Sequence, residues 1–238
     1  MRLGLGAARS LGPLAVTVLM SVIVAACGGG GGGSDGQGAP TTYPLWQAWV
    51  SSVSKAETRS FSVSGTYGAA SVSGSGTATF NPLAAATFEG KSALGQTIVV
   101  SGSVTVSGQT VPYGGTSTNY VDSNYMPLGV ANAGYLVASS TPTIPQTAQV
   151  NDTGPIVTFT AYDSGAKTTV LGSESIAYSL LPDTSSTAIL QLIVTDRTTT
   201  GALIGTTIAS YRIGLDGALT RLSEQYQDGS GSITLTYQ

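Results

Sequence analysis

Serine followed three residues later by lysine occurs twice in the chain, at Ser52-Val53-Ser54-Lys55 and at Ser164-Gly165-Ala166-Lys167. A lysine with a lowered pKa beside a serine can take the hydroxyl proton and make the serine a nucleophile. The second match falls in an expected hairpin turn, and the first sits at the C-terminal end of an expected helix. Neither is followed by a Ser-x-Asn or Lys-Thr-Gly partner; Lys167-Thr168-Thr169 comes nearest and lacks the glycine. The chain contains no histidine at all, which excludes Ser-His-Asp and Cys-His catalysis and His/Cys zinc sites. The aspartates Asp152, Asp163, Asp183, Asp216 and Asp228 stand in turn contexts such as Asn151-Asp152-Thr153-Gly154 and Leu215-Asp216-Gly217, where a carboxylate bonds local backbone. None belongs to a D-x-D-x-D-G calcium loop. These residues point away from an enzyme, and nothing calls for a cofactor or a metal.

The single cysteine is placed with more purpose. Arg2 and Arg9 precede an apolar stretch from Leu11 to Ala26, which ends in Val24-Ala25-Ala26-Cys27 and runs on into six glycines. A short apolar segment with basic residues before it and small residues at its end is the pattern of a secretory signal. A thiol flanked by a glycine run can be buried by nothing, and an odd exposed thiol in an oxidising compartment calls for another use. Val24-Ala25-Ala26-Cys27 resembles the lipobox of bacterial lipoproteins, whose cysteine is lipidated and becomes the mature N-terminus. The resemblance implies a signal peptide over 1–26, lipidation at Cys27 and a glycine-rich tether over 27–41. With Gly28 after the cysteine, in place of a retention aspartate, it also implies anchoring in the outer membrane. A coil of this composition spans roughly 20 Å end to end, which leaves the domain beyond it free to reorient.

Without the signal the chain carries seven basic residues against twelve acidic ones, a net charge of −5. No basic cluster is present to neutralise phosphates, so nucleic acid is not an expected partner. From residue 42 to 238 the dominant period is two. In Phe61-Ser62-Val63-Ser64-Gly65-Thr66-Tyr67 apolar residues alternate with small polar ones, and Ile98, Val100, Val104 and Val106 repeat the pattern. Ser107-Gly108, Asp216-Gly217 and Asp228-Gly229 are turn signals. This predicts an all-β domain of about ten predominantly antiparallel strands, as an open or half barrel or a sandwich. A division into two lobes near 139–150 stays open, because Thr141-Pro142-Thr143-Ile144-Pro145 separates two strand-rich halves.

One segment has a different period. Pro44 to Val53 spaces its apolar residues at three and four, which predicts one N-terminal amphipathic helix with Thr42 as cap and Pro44 in the first turn. Its Trp46, Trp49, Val50 and Val53 would pack on the sheet as a plug, or the two tryptophans would line a ligand mouth. The loop from Asn119 to Gly129, rich in aromatic and polar residues, adds Tyr120 and Tyr125 to the candidate ligand-binding residues. Small residues at inward positions, Gly65, Gly74, Gly76, Ala78 and Gly102, would either leave room for an apolar ligand or mark close strand packing. A helix, a curved sheet and a lipid anchor together resemble β-rich lipoproteins of proteobacteria and the half-barrels of lipoprotein-sorting factors. The expected role is a membrane-anchored binding or interaction module for an apolar ligand or an envelope protein. The alternatives are surface display without a ligand and, against the lipobox, a transmembrane barrel.

Overall fold

The computed structural model describes residues 41–132 and 134–238; the lipobox, Cys27 and nearly all of the tether lie outside the described residues. The chain opens with β1 (Thr42–Tyr43) and α1 (Leu45–Ser54), followed by β2 (Glu57–Tyr67), β3 (Ala70–Phe80), β4 (Ala84–Phe88), β5 (Lys91–Val106) and β6 (Gln109–Val121). Two short strands, β7 (Pro127–Ala131) and β8 (Tyr135–Ala138), and the two-residue β9 (Ala148–Gln149) come next. The second half is a run of hairpins: β10 (Thr153–Tyr162), β11 (Val170–Pro182), β12 (Thr187–Thr198), β13 (Leu203–Gly214), β14 (Leu219–Asp228) and β15 (Gly231–Tyr237).

Every pairing is antiparallel, and each barrel strand pairs with the barrel strands before and after it in the chain, so the sheet is an up-and-down meander. It is not open. The last strand pairs with the first long one, from Tyr237 opposite Phe61 to Gly231 opposite Tyr67, and a ring of twelve strands closes. The amide of Gln238 donates to Ser60 O at 3.0 Å and fastens the seam. Closure removes the two free edges that an open or half barrel would leave exposed. β4 stands beside this ring, because β5 is long enough to pair with β3 along one part and with β4 along another.

Alternation decides which residues fill the barrel. On β2 and β3, Phe61, Val63, Val72, Ala78 and Phe80 are buried, while Ser60, Ser62, Ser64, Ser71, Ser73, Ser75 and Thr77 are exposed. Cross-strand register brings these outward hydroxyls side by side, Ser62 opposite Ser75 and Ser75 opposite Ser103. The inward small residues mark close packing. Gly76 faces Gly102 across β3 and β5, and a Cβ on Gly76 would lie 2.9 Å from the Gly102 Cα and 2.6 Å from the Phe61 ring. Gly65 adopts φ +153°, which other residues rarely take, and a Cβ there would collide with Ser232 O on β15.

The helix lies at one end of the barrel, hereafter the helix end, with Leu45, Ala48, Trp49 and Val53 buried in a core shared with β10 to β13. Trp46 and Val50 are half-buried against the same core. Pro44 precedes the first helical turn, but Thr42 is not its cap: it belongs to β1, which pairs with β9, and no side chain caps the helix. The clasp of β1 on β9 and the bond from Trp46 N to Gln146 O (3.3 Å) take over that role. The stretch 139–150 runs past the helix here, between strands β8 and β10 that pair directly with each other. The turns at 68–69, 107–108, 163–169, 199–202 and 229–230 gather at the opposite, far end.

Candidate functional site

Two of the four aromatic candidates meet. Trp49 is buried, and its indole Nε1–H donates to Tyr125 O at 2.8 Å. Tyr125 holds φ +59° in the β6–β7 loop, a left-handed turn kept by Asp122, whose Oδ1 accepts from the amides of Asn124 (2.7 Å) and Met126 (2.9 Å). Trp46 sits on the same helix but is only half-buried. Tyr120 stacks its ring on Phe88 of β4 at 4.6 Å between centroids and borders the same small cavity as Trp49. Between α1 and the wall, Trp49, Val53, Gln96, Asn119, Phe159 and Arg221 border a cavity of about 40 Å³. That is room for a water molecule or two and far below the several hundred Å³ of a ligand pocket. Asn119 Oδ1 and Arg221 Nε are buried there without a protein partner, so the cavity is polar enough to hold water.

Arg221 is the most enclosed cation among the described residues. Its guanidinium lies over the rings of Phe80 (4.2 Å), Tyr211 (4.9 Å) and Tyr237 (5.5 Å) and pairs with Glu224 at 3.0 Å. Residues three apart on a regular strand face opposite sides. Here β14 carries an extra residue, Leu222, between its pairings Tyr211–Arg221 and Ser210–Ser223, and the bulge turns both Arg221 and Glu224 inward. Burial pushes the Glu224 carboxyl up and Arg221 pulls it back. Burial opposes the charge on Arg221 too, but the rings and carboxylates around it outweigh that and hold it protonated.

Nearer the far end, two acids share the barrel wall without a cation. Glu174 on β11 lies directly opposite Asp196 on β12, and both point inward. Glu174 is 4% exposed and its Oε1 has no conventional partner. Burial and the neighbouring Asp196 push the Glu174 carboxyl well above its ordinary range; burial raises Asp196 to about 6, with Glu174 holding it down. On β14, the Tyr226 hydroxyl donates to Asp228 Oδ2 at 3.0 Å and covers Gly205.

Four of the five turn aspartates bond local backbone as their contexts predict, and Asp183 instead pairs with a side chain from β13. Asp152 accepts from Gln149 N (2.7 Å), Asp216 from Ala218 N (3.0 Å) and Asp228 from Ser230 N (2.7 Å). Asp163 accepts from Thr169 N (3.2 Å), and Asp183 takes Arg212 Nε (2.7 Å). In the two Ser-x-x-Lys segments each lysine is committed to an acid, Lys55 to Glu57 and Lys167 to Glu89. Ser52 Oγ donates to Trp49 O within its own helix.

Glu174, Arg221 and Glu224, with the half-buried Asp196, are the inward-facing charged residues that the motif reading passed over. For Glu174 and Asp196 a signal exists: counting by twos from Leu180 through Tyr178 and Ile176 reaches Glu174, and from Leu192 through Val194 reaches Asp196. For Arg221 and Glu224 the bulge breaks that count. No protein-family model, no curated protein and no solved structure matches this chain.

Proposed function

We propose that the protein is an exported lipoprotein, lipidated at Cys27 and held at the outer membrane by its glycine-rich tether, whose barrel serves as an interaction module through its outside surface. The filled helix end carries this reading: among the described residues a helix plug and large side chains leave only about 40 Å³ beside Trp49, too little for an apolar ligand there. The outward rows of serine and threonine on β2, β3 and β5 support a barrel bathed in water, since a lipid-facing wall needs an apolar band.

Contact with a partner is best supported at the far end. Val170 and Leu171 begin β11, Leu203 and Ile204 begin β13, and these four are about half exposed on either side of the end of β12. Clustered exposed aliphatics are a mark of association surfaces. The chain enters the fold at the helix end, through Thr42, so a tether pulling from there turns this rim away from the anchoring bilayer and toward an approaching protein. The test has two parts. Radiolabelled palmitate should enter the wild-type protein and not Cys27→Ser; labelling of the variant would overturn the anchor. Native mass spectrometry of protein purified without detergent should show the bare polypeptide for Cys27→Ser; a stoichiometric apolar molecule would overturn the reading of a filled barrel.

A further inference from the structure

We propose that Glu174 and Asp196 form a proton-binding site, in which one shared proton clamps β11 to β12 near the far end and its loss loosens that end of the barrel. The two residues are direct cross-strand partners, so their side chains project from the same face at neighbouring positions. Both point into the barrel, and Glu174 is cut off from solvent. The ion pairs of the described residues are all elsewhere: Lys55 and Arg59 on Glu57, Lys167 on Glu89, Arg212 on Asp183, and Arg221 on Glu224. A buried carboxylate and a half-buried one facing each other across two strands repel strongly if both ionise without a cation, as the Glu174 side of the pair is poorly solvated. A single proton resolves it, with the Glu174 carboxyl donating to the Asp196 carboxylate. That donation gives a use to the Oε1 that otherwise has no partner.

The neighbouring elements supply nothing that would replace the proton. On the same rung β10 offers Phe159 and β13 offers Gly205, neither of which titrates. β14 adds Asp228 and Tyr226, whose hydroxyl is turned to Asp228, and β2 adds Tyr67 beyond β15. Arg197, next to Asp196, stands on the outer face and donates to Gly201 O at 3.0 Å. Every ionisable group toward the pair is an acid or a phenol, so a lost proton leaves repulsion uncompensated. Burial supports the same assignment, raising both carboxyls.

Folded carboxyls raised above their unfolded values bind protons more tightly in the native state. The clamp is complete below the ordinary carboxylate range and weakens as pH rises through 6 and beyond. Hydrogen exchange of the purified protein, corrected for the intrinsic effect of pH, should show amides of 172–176 and 194–198 losing roughly tenfold or more in protection between pH 5 and pH 8, since each pKa unit is a factor of ten. Strands β2 and β3 should change little. Glu174→Gln keeps a donor toward Asp196 that cannot be titrated, and its protection in this region should be the same at both pH values. Equal protection of the wild type at pH 5 and 8, or an unchanged response in Glu174→Gln, would overturn the proposal. Should Glu174→Gln not fold, carboxyl-carbon NMR of the wild type decides: one Glu and one Asp signal titrating at or above about 6 supports the site, and all carboxyls titrating near 4 refutes it.

Discussion

The indole of Trp49 and the carbonyl of Tyr125, separated by 76 positions in sequence, are joined by a 2.8 Å hydrogen bond that locks the helix plug to the β6–β7 loop. The bond satisfies the polar edge of a buried ring and fixes the loop that Asp122 has already turned. Trp49→Ala removes a large buried side chain and should destabilise the protein by about 3–5 kcal/mol. Trp49→Phe keeps much of the apolar contact and forfeits the donor, at a cost of about 1–2 kcal/mol. Urea unfolding followed by far-ultraviolet circular dichroism separates the two. Equal and small losses would mean that the helix does not contribute to the core.

How much of this was legible depends on the residue. Period two identified the long strands but not the short β4, β7 and β8, and the spacing of Trp46, Trp49, Val50 and Val53 identified the only helix of the described residues. Closure was not legible, because it depends on β15 meeting β2 at the two ends of the sheet, which no local pattern encodes. The glycine question was undecidable from sequence for a similar reason: whether Gly76 borders empty space or another backbone depends on Gly102, 26 residues further on. Asp152, Asp163, Asp216 and Asp228 were read correctly because their backbone partners are local, whereas Asp183 takes its cation from Arg212, 29 positions further on. Arg221 and Glu224 were missed because a one-residue bulge changes which side of the strand they face.

Gly76→Ala tests the close approach of β3 and β5. The added methyl meets the Gly102 Cα and the Phe61 ring well inside contact distance, and overpacking of this kind costs about 1–3 kcal/mol. Gly229→Ala, in a turn where a Cβ would meet nothing within 4 Å, should stay within about 0.5 kcal/mol of wild type. Thermal unfolding of the two variants gives the comparison. A tolerated alanine at Gly76 would reinstate the idea that these small residues leave space.

Arg221→Met should be among the most damaging single changes in the barrel. It leaves Glu224 buried with no cation and empties the cage of Phe80, Tyr211 and Tyr237, a loss of about 3–5 kcal/mol at neutral pH. Arg221→Lys should recover only part of this, because an ammonium cannot stack its plane on three rings. The double variant Arg221→Met/Glu224→Gln should be more stable than Arg221→Met alone, since no lone charge remains in the core. A chemical-denaturation cycle over these variants measures the coupling, and additive losses would show that the two side chains do not act as a pair.

On the acid side the surface carboxylates set the limit. Arg212, with help from Thr187, holds Asp183 below its usual range, and Lys167 and Tyr135 do the same for Glu89. A carboxyl lowered by folding contributes stability above its unfolded pKa and loses it as pH falls through the folded value, so this contribution should fade below about pH 4. The Glu174–Asp196 pair has the opposite sign and disfavours the fold as pH climbs. Unfolding temperature against pH should therefore peak in the weakly acidic range and decline on both sides. Asp183→Asn removes one contributor to the acid limb only. It should lower stability slightly at pH 7, leave it unchanged at pH 2, and show less of a difference in 1 M salt, where an exposed pair is screened. An Asp183→Asn deficit that persists at pH 2 would assign the effect to the Thr187 turn contact instead of to charge.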